Sequence, residues 1–427
     1  MSEGTEAEAA GEAGAAVRRR RLGSVVIDTR PLRIPAFRRL WTGTAVTAVG
    51  SQFSAVAVPK QIYDLTGSSA YVGLTGAVGL AVLVVFGLWG GAIADAVDRR
   101  TVMAVSNLGI VVTSVLLWLQ AAAGLDSVVV VLLLYGVQQS FAAVNAPTRS
   151  AAIARVVPAG LLVAANALGF TTFMFGAVFG PLVAGVLIPV AGLPVLYLID
   201  SVALAVAFVM VLRLPPMPPH EQASRTAGLR DVVAGLRYLS GHGVLLVSFA
   251  VDLIAMVAGM PKALFPEMAE RTYGGGAALG WLFAAIPLGA LVIGLLSGQL
   301  SRLRRSGVVV TVAIATWGAA MAGFGLTRSL WLAVLMLAIG GAADMVSGVH
   351  RGAILQAAAT DDMRGRIQGV FMVVVAGGPR LADLVHGTAA AQFGTAAAAT
   401  GGGVLVIVLL AATVAAVPAF WRYRAPH

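Results

Sequence analysis

Runs of about twenty residues without a charge recur along this chain from residue 40 to residue 420, separated mostly by short polar breaks. That recurrence restricts the fold more than anything else in the sequence. A helix rising 1.5 Å per residue needs about 20 apolar residues to cross the hydrocarbon of a bilayer. Twelve such stretches can be marked: roughly 40–63, 70–93, 101–123, 127–147, 161–188, 193–212, 243–266, 277–299, 307–327, 330–350, 367–391 and 397–420. Composition agrees. Only 11% of the 427 residues are charged, and mean hydropathy is +0.89, whereas a soluble chain carries about 25% charged residues. The expected fold is an all-α integral membrane protein whose principal partner is the lipid bilayer.

Several breaks contain turn signals, among them "DLTGSS", "AGLDS", "VAGLP" and "GLTRS". The one long break, 213–243, starts Pro-rich and divides the spans six and six. The expected organisation is a disordered tail at 1–36, a six-helix bundle at 37–213, a central loop at 214–242, a second bundle at 243–421 and a short tail at 422–427. The first sixteen residues, "MSEGTEAEAAGEAGAA", are acidic, rich in Gly and Ala, and lack the apolar core of a signal peptide.

Charge placement gives the topology. The two tails, the central loop and the breaks on their side hold 24 of the 29 Lys and Arg residues. The five others are Lys60, Lys262, Arg271, Arg328 and Arg380. By the positive-inside rule both termini are expected in the cytoplasm of a cell whose plasma (inner) membrane the chain crosses. The net charge of +10 is therefore no sign of a nucleic-acid partner, because the arginines end apolar runs and form no single patch.

The halves repeat one another. "VPKQIY" ends the first span and "MPKALF" ends the seventh, and Lys60 and Lys262 are the only lysines of the chain. A glycine and a basic cluster follow the second span of each half, "GAIADAVDRR" and "GQLSRLRR". Arginine-bearing linkers, "PTRSAAIARVVP" and "HRGAILQAAATDDMRGR", follow the fourth. Six plus six in one orientation is the parallel-repeat plan of secondary transporters, with the binding site between halves.

Gly91-x-x-Ala94-Asp95-x-x-x-Arg99-Arg100 resembles the loop 2–3 signature of the major facilitator superfamily, and the resemblance covers 37–424. It implies that Gly91 permits a tight turn and that Asp95 caps the N-terminus of span 11, a gating contact on the cytoplasmic side. Ala96 stands where the signature has a basic residue, Asp98 where it has a second glycine, and Arg302 where the second half would repeat the aspartate. Gly176-x-x-x-Gly180-Pro181 with Gly185 resembles the span 5 motif of proton-driven exporters in the superfamily. By itself this spacing also serves close helix packing. Stretches 252–269, 340–356 and 376–387 resemble the bacterial group that includes the enterobactin exporter and related drug-efflux proteins, a resemblance that does not carry a substrate over. The span 4 motif of many proton-coupled drug exporters is incomplete here. In the nearest register Val131 takes the leucine position, Tyr135 the arginine, Gln138 the glutamine and Gln139 the glycine.

An ionisable group at the bilayer centre costs at least about 2.5–3.5 kcal/mol, so such groups are kept for partners or pathways. The candidates are Asp200, Asp252, Asp344, Arg380, Asp383 and His386. Arg380 and Asp383 lie three apart on one helical face and are able to pair. If the superfamily plan holds, spans 7 and 10 place Asp252 and Asp344 toward the cavity, whereas Asp200 sits on a peripheral span as a structural partner. For Asp252, Asp344, Arg380 and Asp383 two readings stand: a fixed buried network, or a coupling and substrate site. Lys60, Lys262, Gln138, Gln139 and Asn145 complete the candidate cavity set.

No catalytic constellation is present. The glycine triplets at 274–276 and 401–403 lack a Walker lysine, there is no cysteine, and the five histidines have no metal-ligand spacing. Neither cofactor nor metal is expected. The reading is a secondary active transporter that exports a small organic molecule, siderophore-like or drug-like, by alternating access. Protons are its expected coupling ion and the monomer its expected working unit. An importer, or a transporter-like receptor that moves nothing, are the alternatives.

Overall fold

The computed structural model describes residues 28–218, 234, 237–295, 305–358 and 361–424, without the side chains of 87–96, 358, 361–362, 364–366 and 372. The first helix, α1, is Pro35–Thr66, with proline in its first turn, where the missing N–H costs nothing. It ends at Gly67, whose φ of 64° sets a left-handed cap and whose N–H donates to the Tyr63 carbonyl at 2.7 Å. The chain returns as α2, Ser69–Ala96. The next helices are α3, Arg99–Ala122, capped by Asp98 accepting from the Thr101 N–H at 3.1 Å, and α4, Val128–Val156, capped by Ser127.

The stretch Leu162–Leu212 is helical throughout except at Gly192 (φ 74°, ψ 174°). Fifty-one residues of helix would reach about 77 Å, more than twice the roughly 30 Å of bilayer hydrocarbon. The Gly192 break is where the chain turns back, and it separates α5 (162–191) from α6 (193–212). The second half follows as α7 (Gly243–Gly259), α8 (Ala277–Leu295), α9 (Ser306–Leu326), α10 (Leu330–Ala358), α11 (Asp361–Phe393) and α12 (Thr395–Ala416).

Among the described residues ten stretches are long and apolar enough to cross a membrane. One of them is the joined pair α5–α6. With α1, the crossings among the described residues number twelve. α1 tolerates Gln52 and Ser54 in mid-span because both line an internal cavity and do not face lipid. Outward faces carry Val129, Leu133, Leu332 and Leu335, each at least 45% exposed, as lipid contact requires.

Several boundaries differ from the sequence reading, for one reason. Apolar windows find the hydrocarbon-spanning part of a helix, while backbone hydrogen bonding continues past it wherever alanine-rich sequence allows. The two arginine-bearing linkers are therefore largely helical: α4 runs to Val156, α10 to Ala358, and α11 starts at Asp361. The seventh span stops at Gly259 and continues as a 3-10 turn, Lys262–Leu264, and a short helix, Phe265–Arg271. The expected disordered tail is ordered at its end: Arg30–Arg33 form a 3-10 turn, and Leu32 and Ile34 pack near Phe37 and Leu168. Residues 1–27 lie outside the described residues.

α1 lies along α5–α6, and α3 packs on α4 and α6; in the second half α9 lies along α10 and α12, and α11 and α12 pack on α7. Two helix pairs, α2 with α11 and α5 with α8, join the halves. The membrane side carrying residues 28–34 and 424 is called the tail side below, and the opposite one the far side.

Candidate functional site

Between the halves lies a cavity of about 630 Å³, within the 300–1,000 Å³ usual for small-molecule sites. The first half contributes Gln52 and Ser54 from α1, Tyr135, Gln138, Gln139, Asn145 and Arg149 from α4, and Asp200 from α6. The second half contributes Lys262, Ala263, Phe283 and Asp383. Polar groups from both halves thus converge on one largely apolar space.

The expected amides are there. Gln138 and Asn145 are buried, and the Asn145 amide donates to Ser106 at 2.8 Å. Arg149 is absent from the sequence-derived set, yet it belongs to α4 and not to a linker. Its signal is the helical spacing Gln138, Ala142, Asn145, Arg149, four cavity-lining positions on one face. Lys262 and the Ala263 backbone N–H face Asp383.

Three candidates are placed elsewhere. Lys60 is not on the cavity wall; it sits near the far end of α1, 7% exposed, paired with Asp64 and with Glu270 at 2.8 Å. Asp252 and Asp344 do not line the cavity either. Asp252, 2% exposed, is ion-paired with Arg351, whose other terminal nitrogen lies 3.5 Å from Asp344. The α7–α10 link therefore runs through an arginine that hydropathy alone assigns to a loop. Asp344, Ser347 and Arg351 follow one another at spacings of three and four, a polar helical stripe that carries the signal. The pair expected of Arg380 and Asp383 is replaced by other contacts: Arg380 donates to the Ala376 carbonyl one turn earlier at 2.5 Å, and Asp383 faces Lys262. His386 is buried against Ala258.

Above the cavity the far side is shut. Lys60 bonds Glu270 across the seam, the Ser69 hydroxyl donates to Glu267 at 2.6 Å, and Arg271 donates to the Gly67 carbonyl at 3.4 Å. Glycines bring the helices into backbone contact. A methyl group on Gly76 of α2 would lie 2.1 Å from the Arg380 carbonyl oxygen of α11, and one on Gly280 of α8 would lie 2.4 Å from the Pro181 carbonyl of α5. The span 5 motif divides its work. Gly176 and Gly180 press α5 onto α1 at Ala48 and Gln52, and Gly185 presses it onto Gly280 across the seam.

At the tail end, the side chains of Gly91 and Asp95 lie outside the described residues, so the expected cap on α11 is not described. The next residues bond within their own half. The Met217 N–H donates to Asp98 at 2.7 Å, the Arg99 N–H to the Met217 carbonyl at 3.1 Å, and the Arg100 guanidinium to the Leu212 carbonyl at 2.6 Å. The Asp98 that departs from the loop signature thus caps α3 and also ties the segment after α6.

Comparison with known proteins agrees with this architecture. The model of the family described as "Transmembrane secretion effector" matches residues 28–423. The enterobactin exporter EntS of Shigella boydii serotype 18 is 30% identical over 343 residues, covering 79% of this chain and 81% of that protein. EntS of Escherichia coli O81 is 29% identical over the same length and shares. Among solved structures, the nucleoside transporter NupG superposes with a TM-score of 0.70 at 15% identity, over 91% of this chain and 99% of NupG. A D-xylose–proton symporter does so with a TM-score of 0.66 at 11% identity, over 89% and 95%. The last two share the fold alone. With a family match spanning nearly the whole chain, this protein belongs to the transmembrane secretion effector family of major facilitator transporters and is not an enzyme.

Proposed function

We propose that the protein is a proton-coupled exporter that moves a small organic molecule out of the cytoplasm by alternating access. The observation that carries this reading is the cavity walled by both halves and roofed at the far side by the Lys60–Glu270 and Ser69–Glu267 bonds. With the tail side cytoplasmic, this is the inward-facing stage, and substrate enters past Arg149. Export rather than import is supported by the relatives, which are exporters by name, and by the Gly180–Pro181 motif in α5. Size and lining suit a siderophore-like or drug-like molecule. The same observations suit a monomer, since all these cavity walls come from one chain.

Coupling needs a carboxylate whose cationic partner changes between states. The Asp252–Arg351–Asp344 set supplies one, and Asp383 beside Lys262 at the cavity supplies a second. Purified protein in liposomes preloaded with a compound panel is expected to release at least one compound faster when a proton gradient is imposed. Release of none, with or without the gradient, would leave a receptor or assembly role instead.

Orientation has its own test. The chain has no cysteine, so Ser68→Cys and Ser224→Cys each introduce a single label. An impermeant thiol reagent outside the cell is expected to modify the first and spare the second; equal modification of both rules out the assigned sidedness.

A further inference from the structure

Asp200 lies 1% exposed where α6 meets α1 and α3. Its carboxyl takes part in a chain of four oxygen contacts. Ser54 Oγ is 2.5 Å and Ser114 Oγ 3.2 Å from Asp200 Oδ2. Ser201 Oγ is 3.0 Å from Ser114 Oγ and 2.7 Å from the Tyr197 carbonyl oxygen. Each such contact needs a hydrogen between its oxygens, and one hydrogen serves two contacts only when it is shared in a three-centre bond. The three serines supply three, because each hydroxyl carries one hydrogen and the Tyr197 carbonyl carries none.

The fourth proton has one place left. If Ser201 donates to the Tyr197 carbonyl, Ser114 donates to Ser201, and Ser54 donates to the carboxyl, then the Asp200–Ser114 contact is filled only by a carboxylic acid O–H donating to Ser114. An ionised Asp200 leaves three hydrogens for four contacts, so Ser201 would have to share its single hydrogen between Ser114 and the Tyr197 carbonyl, a weaker three-centre arrangement. The surroundings agree. The described residues place no cation in an ion pair with Asp200, and its Oδ1 is buried without a hydrogen-bond partner. A bare carboxylate in such a place is expensive and must be neutralised. The titratable group nearest it on α6 is Tyr197, whose hydroxyl is engaged with Gln61 at 2.8 Å; α1 and α3 present Ser54 and Ser114. The charged side chains on the same cavity are Arg149, Lys262 and Asp383.

We propose that Asp200 is a proton-binding site of the first half, occupied in this conformation, held by the Ser54–Ser114–Ser201 hydroxyl chain and in exchange with the central cavity whose wall it forms. It is separate from the carboxylates of the second half. Its significance for transport rests on the exporter reading, but its existence does not.

The test needs no substrate. Infrared difference spectra of the purified full-length protein, parent minus Asp200→Asn, isolate one carboxyl from the others, including those of α7, α10 and α11. Asp200→Asn is nearly isosteric, and its amide nitrogen, placed where Oδ2 lies, donates to both serine hydroxyls, so the variant is expected to fold. The expected result at neutral pH is a protonated-carboxyl C=O band present in the parent, lost in the variant, and shifted in D2O because the cavity admits solvent. A difference spectrum with no such band overturns the proposal. So does a band that disappears when sodium chloride replaces choline chloride, which would assign the site to a metal cation. Should Asp200→Asn misfold, Ser114→Ala removes the acceptor of the acid proton and is expected to shift the band without abolishing it; an unmoved band is again a refutation. A protein showing the band while releasing no compound from liposomes would sink the exporter reading and leave this site standing.

Discussion

Arg351→Met is expected to cost about 3–5 kcal/mol of stability. Methionine fills much of the arginine's volume, so packing changes little. What changes is that Asp252, 2% exposed between α7 and α10, loses its only ion-pair partner among the described residues. Removing one member of a buried pair leaves an uncompensated charge, while removing both leaves none. The double variant Arg351→Met with Asp252→Asn is therefore expected to regain most of the lost stability. Thermal unfolding of the two purified variants measures this. A single variant as stable as the parent would mean that the pair holds nothing together.

The same residues separate the two readings of the network. If Asp252 exchanges a proton during transport, Asp252→Asn binds substrate and no longer accumulates it against a gradient. If the network is a fixed brace, binding and stability fall together. The stability of the double variant decides how much of any transport loss is structural.

Why Arg351 escapes a reading of the sequence is instructive about membrane chains. Asp252 and Asp344 stand out because they interrupt charge-free runs, and a charge within lipid needs a reason. Arg351 lies one residue beyond the last apolar window position at 350, where an arginine ordinarily anchors topology. Hydropathy cannot tell an anchoring arginine from one folded back along its helix to a buried aspartate. The periodicity can: Asp344, Ser347 and Arg351 fall on one face. Arg149 is hidden in the same way and revealed by the same spacing from Gln138 and Asn145. Lys60 shows the opposite error. Its repeat partner Lys262 does reach the cavity, so the repeat suggests equal roles. Yet α1 continues to Thr66 while α7 stops at Gly259, and the two lysines end in different surroundings. The twelve crossings and the six-plus-six division are legible because they depend on composition over twenty residues. Pairings inside the bundles depend on helix rotation, which composition does not report. In the sequence Asp200 is a structural partner on a peripheral span; only the positions of three serines from three helices reveal a count of protons.

Gly76→Val tests whether the far-side closure is one state of a moving machine. A side chain at Gly76 would collide with the Arg380 carbonyl oxygen at 2.1 Å and with Asp383 Cβ at 2.7 Å. Overpacking of this kind costs about 1–3 kcal/mol or more. Here the collision lies between halves, so rocking α2 away from α11 relieves it without unfolding either bundle. Gly289 is the control. Its added methyl would lie 1.8 Å from the Ala338 carbonyl oxygen, but α8 and α10 belong to the same half, and no movement between halves relieves that clash. Gly289→Val is thus expected to lose folded protein. Gly76→Val is expected to keep its fold while its population shifts toward a far-side-open form, about ten-fold for each 1.4 kcal/mol of clash. Ala55→Cys, on the cavity wall, reports the shift when an impermeant thiol reagent is applied from the far side. Labelling at Ala55→Cys should rise at least several-fold in the Gly76→Val background. If labelling stays at the parent rate while thermal stability drops as far as in Gly289→Val, the α2–α11 contact is a permanent part of the fold and the closed far side is not a stage of alternating access.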